Sequence, residues 1–308
     1  MINFKTITLA DAEKIQNFVK DFEPYSDFNF LSLYSWSLHS QSKYCLEDDA
    51  LFIMMADYIT QKPIYSFLCR NNYLEHSDNL KAWQNEHGQP QTLNLLPEVI
   101  AVPLSKSLDH HKIKYQISED RDSYDYVVDA HKISQAKGKE YSDFRYKLSR
   151  FQKEQPRGYR QINFNPSKNS DCQKASRLAQ RWARSKKDRA ETYEDETYAF
   201  NRFLFAAQHH ADKLVNVAFE YRGELIAFAS CEILPQRMAI AHFLKYDPGY
   251  RGIYQALVHR MCAELVANNV NLLNIEQDLG IAGLREAKTH LRPVNFLKKF
   301  SLGFEIEN

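Results

Sequence analysis

The stretch that most constrains the fold of this 308-residue chain lies between residues 214 and 265. Three runs, 214–221, 225–234 and 238–246, are apolar or alternate as strands do, and only Arg222-Gly223 and Pro235-Gln236 interrupt them. Interruptions so short and so turn-prone fold the runs back on one another as an antiparallel meander. Gly252 then opens a helix with Ile253, Leu257, Met261 and Leu265 on one face, and an apolar run at 271–275 follows. A meander followed by a strand-to-helix crossover therefore occupies the centre of the second half.

The rest of the chain is read against that pattern. The second half adds a helix over 141–155, a strand at 159–164 and helices near 169–186 and 195–210. It closes with a short helix at 282–290 and strands near 294–300 and 303–306. The first half reads as a strand at 4–9 and a helix from the N-cap Asp11 to 19. A second helix carries Phe30, Leu31, Leu33, Tyr34 and Leu38, and strands follow at 50–56 and 64–69. Helices near 76–87 and 97–110 and strands at 113–117 and 124–128 complete it. The plan occurs twice, so the expectation is a mixed α/β (α+β) protein with domains at 1–130 and 131–308. The length suits two domains of ordinary size.

A hydrophobic share of 44% and a charged share of 26% are those of a folded chain. No apolar run approaches the roughly 20 residues that span a bilayer, and residues 1–20 lack the order of a signal peptide, so a cytoplasmic location is expected. Cys45, Cys69, Cys172, Cys231 and Cys262 are scattered without a CxxC pair, which argues for reduced structural thiols and against zinc. Walker, HExxH and Gly-x-Ser-x-Gly motifs are absent, which disfavours ATP hydrolysis and proteolysis.

The net charge of +1 hides a division. Residues 1–130 carry 11 Lys+Arg against 19 Asp+Glu, and residues 131–308 carry 29 against 20. Either the two halves attract each other, or the second half meets a polyanion such as RNA, a phosphorylated cofactor or an anionic headgroup. Two stretches concentrate the charge: 137–160, with eight Lys+Arg against three acids, and 174–189, with seven against one and Trp182 among them. Basic residues interleaved with Tyr141, Tyr146 and Trp182 suit phosphates and stacked bases, although a solvated basic helix face looks the same in sequence.

Several segments carry a resemblance. They are Tyr126-Val127-Val128-Asp129-Ala130, the basic helix from Tyr141 to Phe151, His242-Phe243-Leu244-Lys245-Tyr246, and Tyr250-Arg251-Gly252-Ile253-Tyr254-Gln255-Ala256. The clearest runs from Glu276-Gln277-Asp278-Leu279-Gly280 through Arg285-Glu286-Ala287-Lys288, and Ser26-Asp27-Phe28-Asn29-Phe30 with Leu33-Tyr34-Ser35-Trp36 adds a first-half motif. Together they resemble the C-terminal catalytic domain of phosphatidylglycerol lysyltransferase and its free-standing relatives without a membrane anchor. That resemblance implies two tandem GNAT-like acyltransferase domains and transfer of an activated acyl group, often an aminoacyl ester, to a hydroxyl or amine. No tightly bound cofactor is expected, and aminoacyl-tRNA or acyl-CoA is the co-substrate.

Candidate site residues follow. Glu276 and Asp278 stand after an apolar strand, where acids can orient or deprotonate an acceptor; Asp278 capping the next turn is the alternative. Arg285 and Lys288 share a helix face and are suited to a phosphate or a developing oxyanion, or simply to solvent. Arg251 and Gly252 mark a helix N-terminus that could receive an anion, but Tyr254 stands where acetyl-CoA enzymes carry a small residue, which counts against acyl-CoA. Arg145 and Arg150 are candidate donor-binding residues, and Tyr141, His242, Lys245 and Tyr254 are candidate cleft residues. No metal site is expected. The preferred reading is an aminoacyl-tRNA-dependent transferase with tRNA or another phosphate-bearing ligand on the basic half. Peripheral contact with anionic lipid, an acyl-CoA-dependent N-acyltransferase and a non-catalytic RNA- or anion-binding module are the alternatives.

Overall fold

The computed structural model describes residues 2–38, 42–57, 60–185 and 190–305. In chain order its elements are β1 (Lys5–Thr6), α1 (Ala12–Val19), α2 (Phe30–Ser35), β2 (Lys43–Leu46), β3 (Ala50–Ala56), β4 (Pro63–Cys69), α3 (Tyr73–Glu86), β5 (Thr92–Pro97), α4 (Glu98–His110) and β6 (Tyr115–Glu119). Then come β7 (Asp125–Asp129), α5 (Ala130–Gln135), α6 (Ser142–Glu154), β8 (Arg160–Ile162), α7 (Asn169–Arg184), α8 (Ala190–Ala207), β9 (Leu214–Tyr221), β10 (Glu224–Ile233) and β11 (Met238–Tyr246). The chain ends with α9 (Ile253–Ala267), β12 (Leu272–Asn274), α10 (Ala282–His290), β13 (Asn295–Leu297) and β14 (Lys299–Phe304).

The chain divides into two units. The first comprises Met1–Asp125, Gln277–Leu284 and Phe296–Asn308; the second comprises Tyr126–Glu276 and Arg285–Asn295. The first unit thus takes in two C-terminal segments besides its run from Met1 to Asp125.

The first unit contains an antiparallel sheet β1-β2-β3-β4 and a second sheet β5-β14-β6. β14 is the central strand of that second sheet, with Leu302 opposite Leu93 on β5 and Ile117 on β6. β2 and β5 escaped the sequence reading, since both are short and β5 ends in Pro97. Only Lys5–Thr6 of the strand expected at 4–9 is extended. Asp11 does stand before α1, but its carboxylate accepts from Thr8 N at 2.9 Å, from Thr8 Oγ1 at 2.7 Å and from the Tyr44 hydroxyl instead of from the helix.

The second unit is built on the expected meander. β9, β10 and β11 pair antiparallel, and β12 joins β11 in parallel after the α9 crossover. The strand order is β13-β7-β12-β11-β10-β9-β8. One face buries Val217, Phe219, Ala227, Ala229 and Cys231 against Ile253, Leu257, Met261 and Leu265 of α9. On the other face Phe200 and Phe203 of α8 meet Phe243 of β11, each with ring centroids 5.1 Å apart. The expected strand end at Ile306 and the cations Lys186, Lys187 and Arg189 lie outside the described residues. All five cysteines are free and buried, and among the described residues no helix is long and apolar enough to cross a membrane.

Candidate active site

Two irregularities of the second unit's sheet create the site. The first is where parallel pairing stops. β11 and β12 pair through Met238–Leu272, Ala239–Leu273 and Ile240–Asn274 and no further, although β11 runs on to Tyr246. His242 and Glu276 are each two residues past that last pair. The second is a bulge. On β10, Cys231 faces Ala241 and Ser230 faces Phe243, so the ladder skips His242. An inserted residue breaks the in-out alternation and re-aims its side chain. His242 and Phe243 consequently both turn toward α8, with Phe203 at 5.6 and 5.1 Å.

The imidazole of His242 lies between two carboxylates. Its Nε2 is 3.3 Å from Glu232 Oε2 on β10, and its Nδ1 is 3.8 Å from Glu276 Oε1 beyond β12. The side chains of Glu232 and His242 are 1% and 2% exposed, whereas that of Glu276 is 24% exposed. The row thus runs from a solvent-reachable carboxylate across the sheet to a sealed one. Glu276 is held at φ +59°, a left-handed conformation that costs an ordinary residue energy, and its N–H donates to Asn274 Oδ1 at 2.7 Å. Its carbonyl accepts from Tyr126 N at 3.2 Å. Lys288 of α10 is buried, donates from Nζ to the Ile275 carbonyl, and has its ammonium 6.0 Å from the Tyr126 ring centroid. A cation is therefore fixed beside the Glu276 backbone.

Glu276, His242 and Lys288 are the sequence candidates that the second unit brings together. Glu232 was missed. It is the one carboxylate inside the apolar run 225–234, and an acid in a strand buried on both faces is the signal that would have found it.

The remaining candidates have other surroundings or roles within the fold. Asp278 belongs to the first unit and is fully buried; it accepts from Gly280 N at 2.9 Å and lies 3.5 Å from Arg121 Nη1. Arg145 donates to the carbonyls of Ala136 and Gly138 at 2.5 and 2.6 Å, and Arg150 pairs with Glu154 at 2.9 Å. Tyr141 is a core residue packed edge-on against Phe144, and burial pushes its phenol up. Lys245 is buried under Trp182, 3.6 Å from the ring centroid, and pairs with Glu196 of α8. Arg251 is exposed and Arg285 half-buried.

Gly252, at φ +79°, opens α9 with no room for a side chain: a Cβ there would stand 2.1 Å from the Lys147 carbonyl oxygen of α6. A carbonyl thus presses on the helix N-terminus where an anion would bind. Tyr254 packs 5.7 Å from Tyr246, and burial pushes its phenol well up. Burial likewise holds Cys231 as a thiol, helped by nearby Cys262 and Glu276. Among the described residues no cluster of three or more His, Cys, Asp or Glu could hold a metal ion.

Solved structures share the fold. A conserved protein of unknown function from Bacteroides thetaiotaomicron VPI-5482 superposes with a TM-score of 0.83 at 23% identity, over 99% of this chain and 100% of that one. L-PGS from Bacillus licheniformis gives 0.64 at 16% identity, over 97% and 93%. A tandem GNAT protein from the clavulanic acid biosynthesis pathway gives 0.51 at 10% identity over the full length of both chains. These likenesses bear out the mixed helix-and-sheet, tandem GNAT-like fold. No curated protein matches the sequence. The model of one family, described as phosphatidylglycerol lysyltransferase, C-terminal, matches residues 23–303, and the chain belongs to that family.

Proposed function

We propose that this chain is an aminoacyltransferase that takes an aminoacyl group from its tRNA ester and passes it to a hydroxyl or amine acceptor. The observation that carries the reading is the Glu276–His242–Glu232 row past the end of β12, with Lys288 fixed beside it. Glu276 is the catalytic residue, because it is the member of the row that solvent reaches. The acceptor gives its proton to the Glu276 carboxylate as its lone pair bonds to the aminoacyl carbonyl carbon. The ester C–O bond then breaks, and the departing ribose oxygen takes that proton from the Glu276 carboxyl, which restores the carboxylate. His242 and Glu232 are positioning residues that hold the carboxylate and spread the proton's charge. Lys288, whose ammonium is fixed at the Ile275 carbonyl next to Glu276, supplies the positive charge that meets the developing oxyanion. Asp278 caps a turn.

Two features support this reading over its competitors. The Lys147 carbonyl at Gly252 and the large Tyr254 disfavour a pyrophosphate at the start of α9, which argues against acyl-CoA. The Cys231 thiol, near Glu276, is held protonated by its burial, so direct attack is favoured over a covalent enzyme intermediate. The deciding experiment incubates the protein with radiolabelled aminoacyl-tRNA and, separately, with labelled acyl-CoA in the presence of a lipid and amine acceptor panel. Discharge of aminoacyl-tRNA that Glu276→Gln abolishes supports the proposal. Discharge of acyl-CoA alone, or of neither donor, defeats it.

A further inference from the structure

Most of the cations expected to meet phosphate are already engaged. Lys147 pairs with Asp143 at 2.9 Å and Arg150 with Glu154. Arg160 and Lys174 share Glu220, and Arg177 and Arg181 share Glu224. Against that background, Lys137, Lys139, Lys153 and Arg157 are exposed and make no ion pair among the described residues. Lys153 lies in the last turn of α6, the other three lie beyond its two ends, and the solvent face of α6 carries Tyr146, 65% exposed.

The spacing gives these residues a direction. Tyr146 and Lys153 are seven residues apart on α6, two helical turns, so they lie along one side about 10 Å apart, and Lys139 stands in the 3-10 turn that leads into the helix. Arg157 follows four residues after Lys153. The opposite side of α6, with Phe144 and Phe151, is buried in the core. The helix therefore has no apolar face to press into a lipid surface, as an interfacial helix needs. What it offers is one aromatic ring in a row of cations, the combination that stacks a base while neutralising the phosphates on either side.

We propose that the exposed face of α6, with Tyr146 between Lys139, Lys153 and Arg157, is a docking surface for an unpaired segment of RNA. The proposal rests on the aminoacyl-tRNA reading and deepens it: the surface would hold the body of the donor while its ester end reaches Glu276. It keeps the basic, Tyr146-bearing stretch 137–160 of the sequence-based expectation but moves the contact from Arg145 and Arg150, both engaged within the chain, to Lys139, Lys153 and Arg157.

The experiment uses the full chain, uncharged tRNA as probe, and the variants Tyr146→Ala, Tyr146→Phe and Lys153→Glu/Arg157→Glu. Unchanged circular dichroism and melting verify that these exposed substitutions leave the fold intact. Tyr146→Ala is expected to weaken binding roughly five- to hundred-fold while Tyr146→Phe binds as wild type. The charge reversal is expected to lower the slope of log K against log salt by about 0.7 or more for each phosphate that the protein no longer neutralises. Equal binding by all variants overturns the surface. So does loss of binding to vesicles of phosphatidylglycerol and phosphatidylcholine with tRNA binding unchanged, which would make the face a membrane-binding one.

A second readout separates this idea from the one beneath it. If the variants discharge aminoacyl-tRNA slowly yet discharge a short 3′-aminoacylated oligonucleotide at wild-type rate, both stand. If wild type discharges neither donor but binds tRNA through Tyr146, the surface stands and the transferase reading fails.

Discussion

Glu276 combines a chemical demand with a conformational cost. Its backbone sits at φ +59°, worth about 1–2 kcal/mol of strain for a residue with a Cβ. Strain retained at one position is best understood as the cost of aiming a group. Two outcomes are expected. Glu276→Gln, which keeps shape but not basicity, lowers the transfer rate by about 10²- to 10⁴-fold in single-turnover assays. Glu276→Gly, by contrast, is more stable to urea than Glu276→Ala by about 1 kcal/mol, since only glycine adopts this conformation freely. Equal stability of the two would mean that the turn is not strained. Sequence alone pointed to Glu276 and His242 but could not pair them with Glu232. The pairing depends on a bulge that skips His242, and a bulge is a property of two strands, invisible in either one.

Elements with strong periodicity were legible. The three meander strands and α9 fall within a residue or two of where the apolar pattern put them, because burial on both faces leaves little freedom in what such runs can be. Gly252 was legible as a helix start, yet its real constraint is the approach of α6, an element about a hundred residues away in sequence. Gly252→Ala is therefore expected to do more than an ordinary turn substitution. The added methyl meets a backbone carbonyl that cannot move without α6, so a destabilisation of at least about 2 kcal/mol in denaturant melts is expected. Glu220 on β9 supplies a test with pH. Lys174 first, then Arg160, hold its carboxyl below the ordinary range despite its burial. A depressed folded value means the unfolded chain binds the extra proton. The stabilisation is thus present above the unfolded carboxylate range near pH 4.5 and is lost as pH falls through the lower folded value. Glu220→Gln should cost about 1.5–3 kcal/mol at pH 7, from hydrogen bonds to charged groups, and converge on wild type in acid. A deficit that persists unchanged at pH 3 would assign it to packing.

At the scale of the molecule the chain does not fold as two consecutive halves. β14 comes from the C-terminus and is the middle strand of the first unit's second sheet, while β7, which closes the first half, is a strand of the second unit's sheet next to β12. Such an exchange leaves no local trace in sequence, because the paired residues lie as far apart as Thr92 and Gly303. A buried charge cluster fixes the returning strand: Lys299, the first residue of β14, lies between Asp27 and Asp125, at 2.8 Å from the latter. Ser26 donates from N and Oγ to Asp125 at 2.7 Å each, and Gln277 donates to Asp27 at 2.5 Å. Burial raises the Asp27 carboxyl, with Lys299 opposing and Asp125 adding to the shift, whereas the two acids hold the Lys299 ammonium above its ordinary value against its own burial. Lys299→Met removes the cation and leaves two buried acids facing each other, so it should cost about 3–5 kcal/mol at pH 7. The sign with pH is the reverse of that at Glu220. Asp27, whose folded value burial raises, binds its proton in the native state, so the variant should regain stability as pH falls toward 5 and lose it as pH rises. Replacing both acids as well, in Asp27→Asn/Asp125→Asn/Lys299→Met, should remove that slope and restore part of the stability. If the single variant instead melts as wild type does across this range, β14 is held by its ladder and its apolar side chains, and the charge cluster is incidental to the exchange.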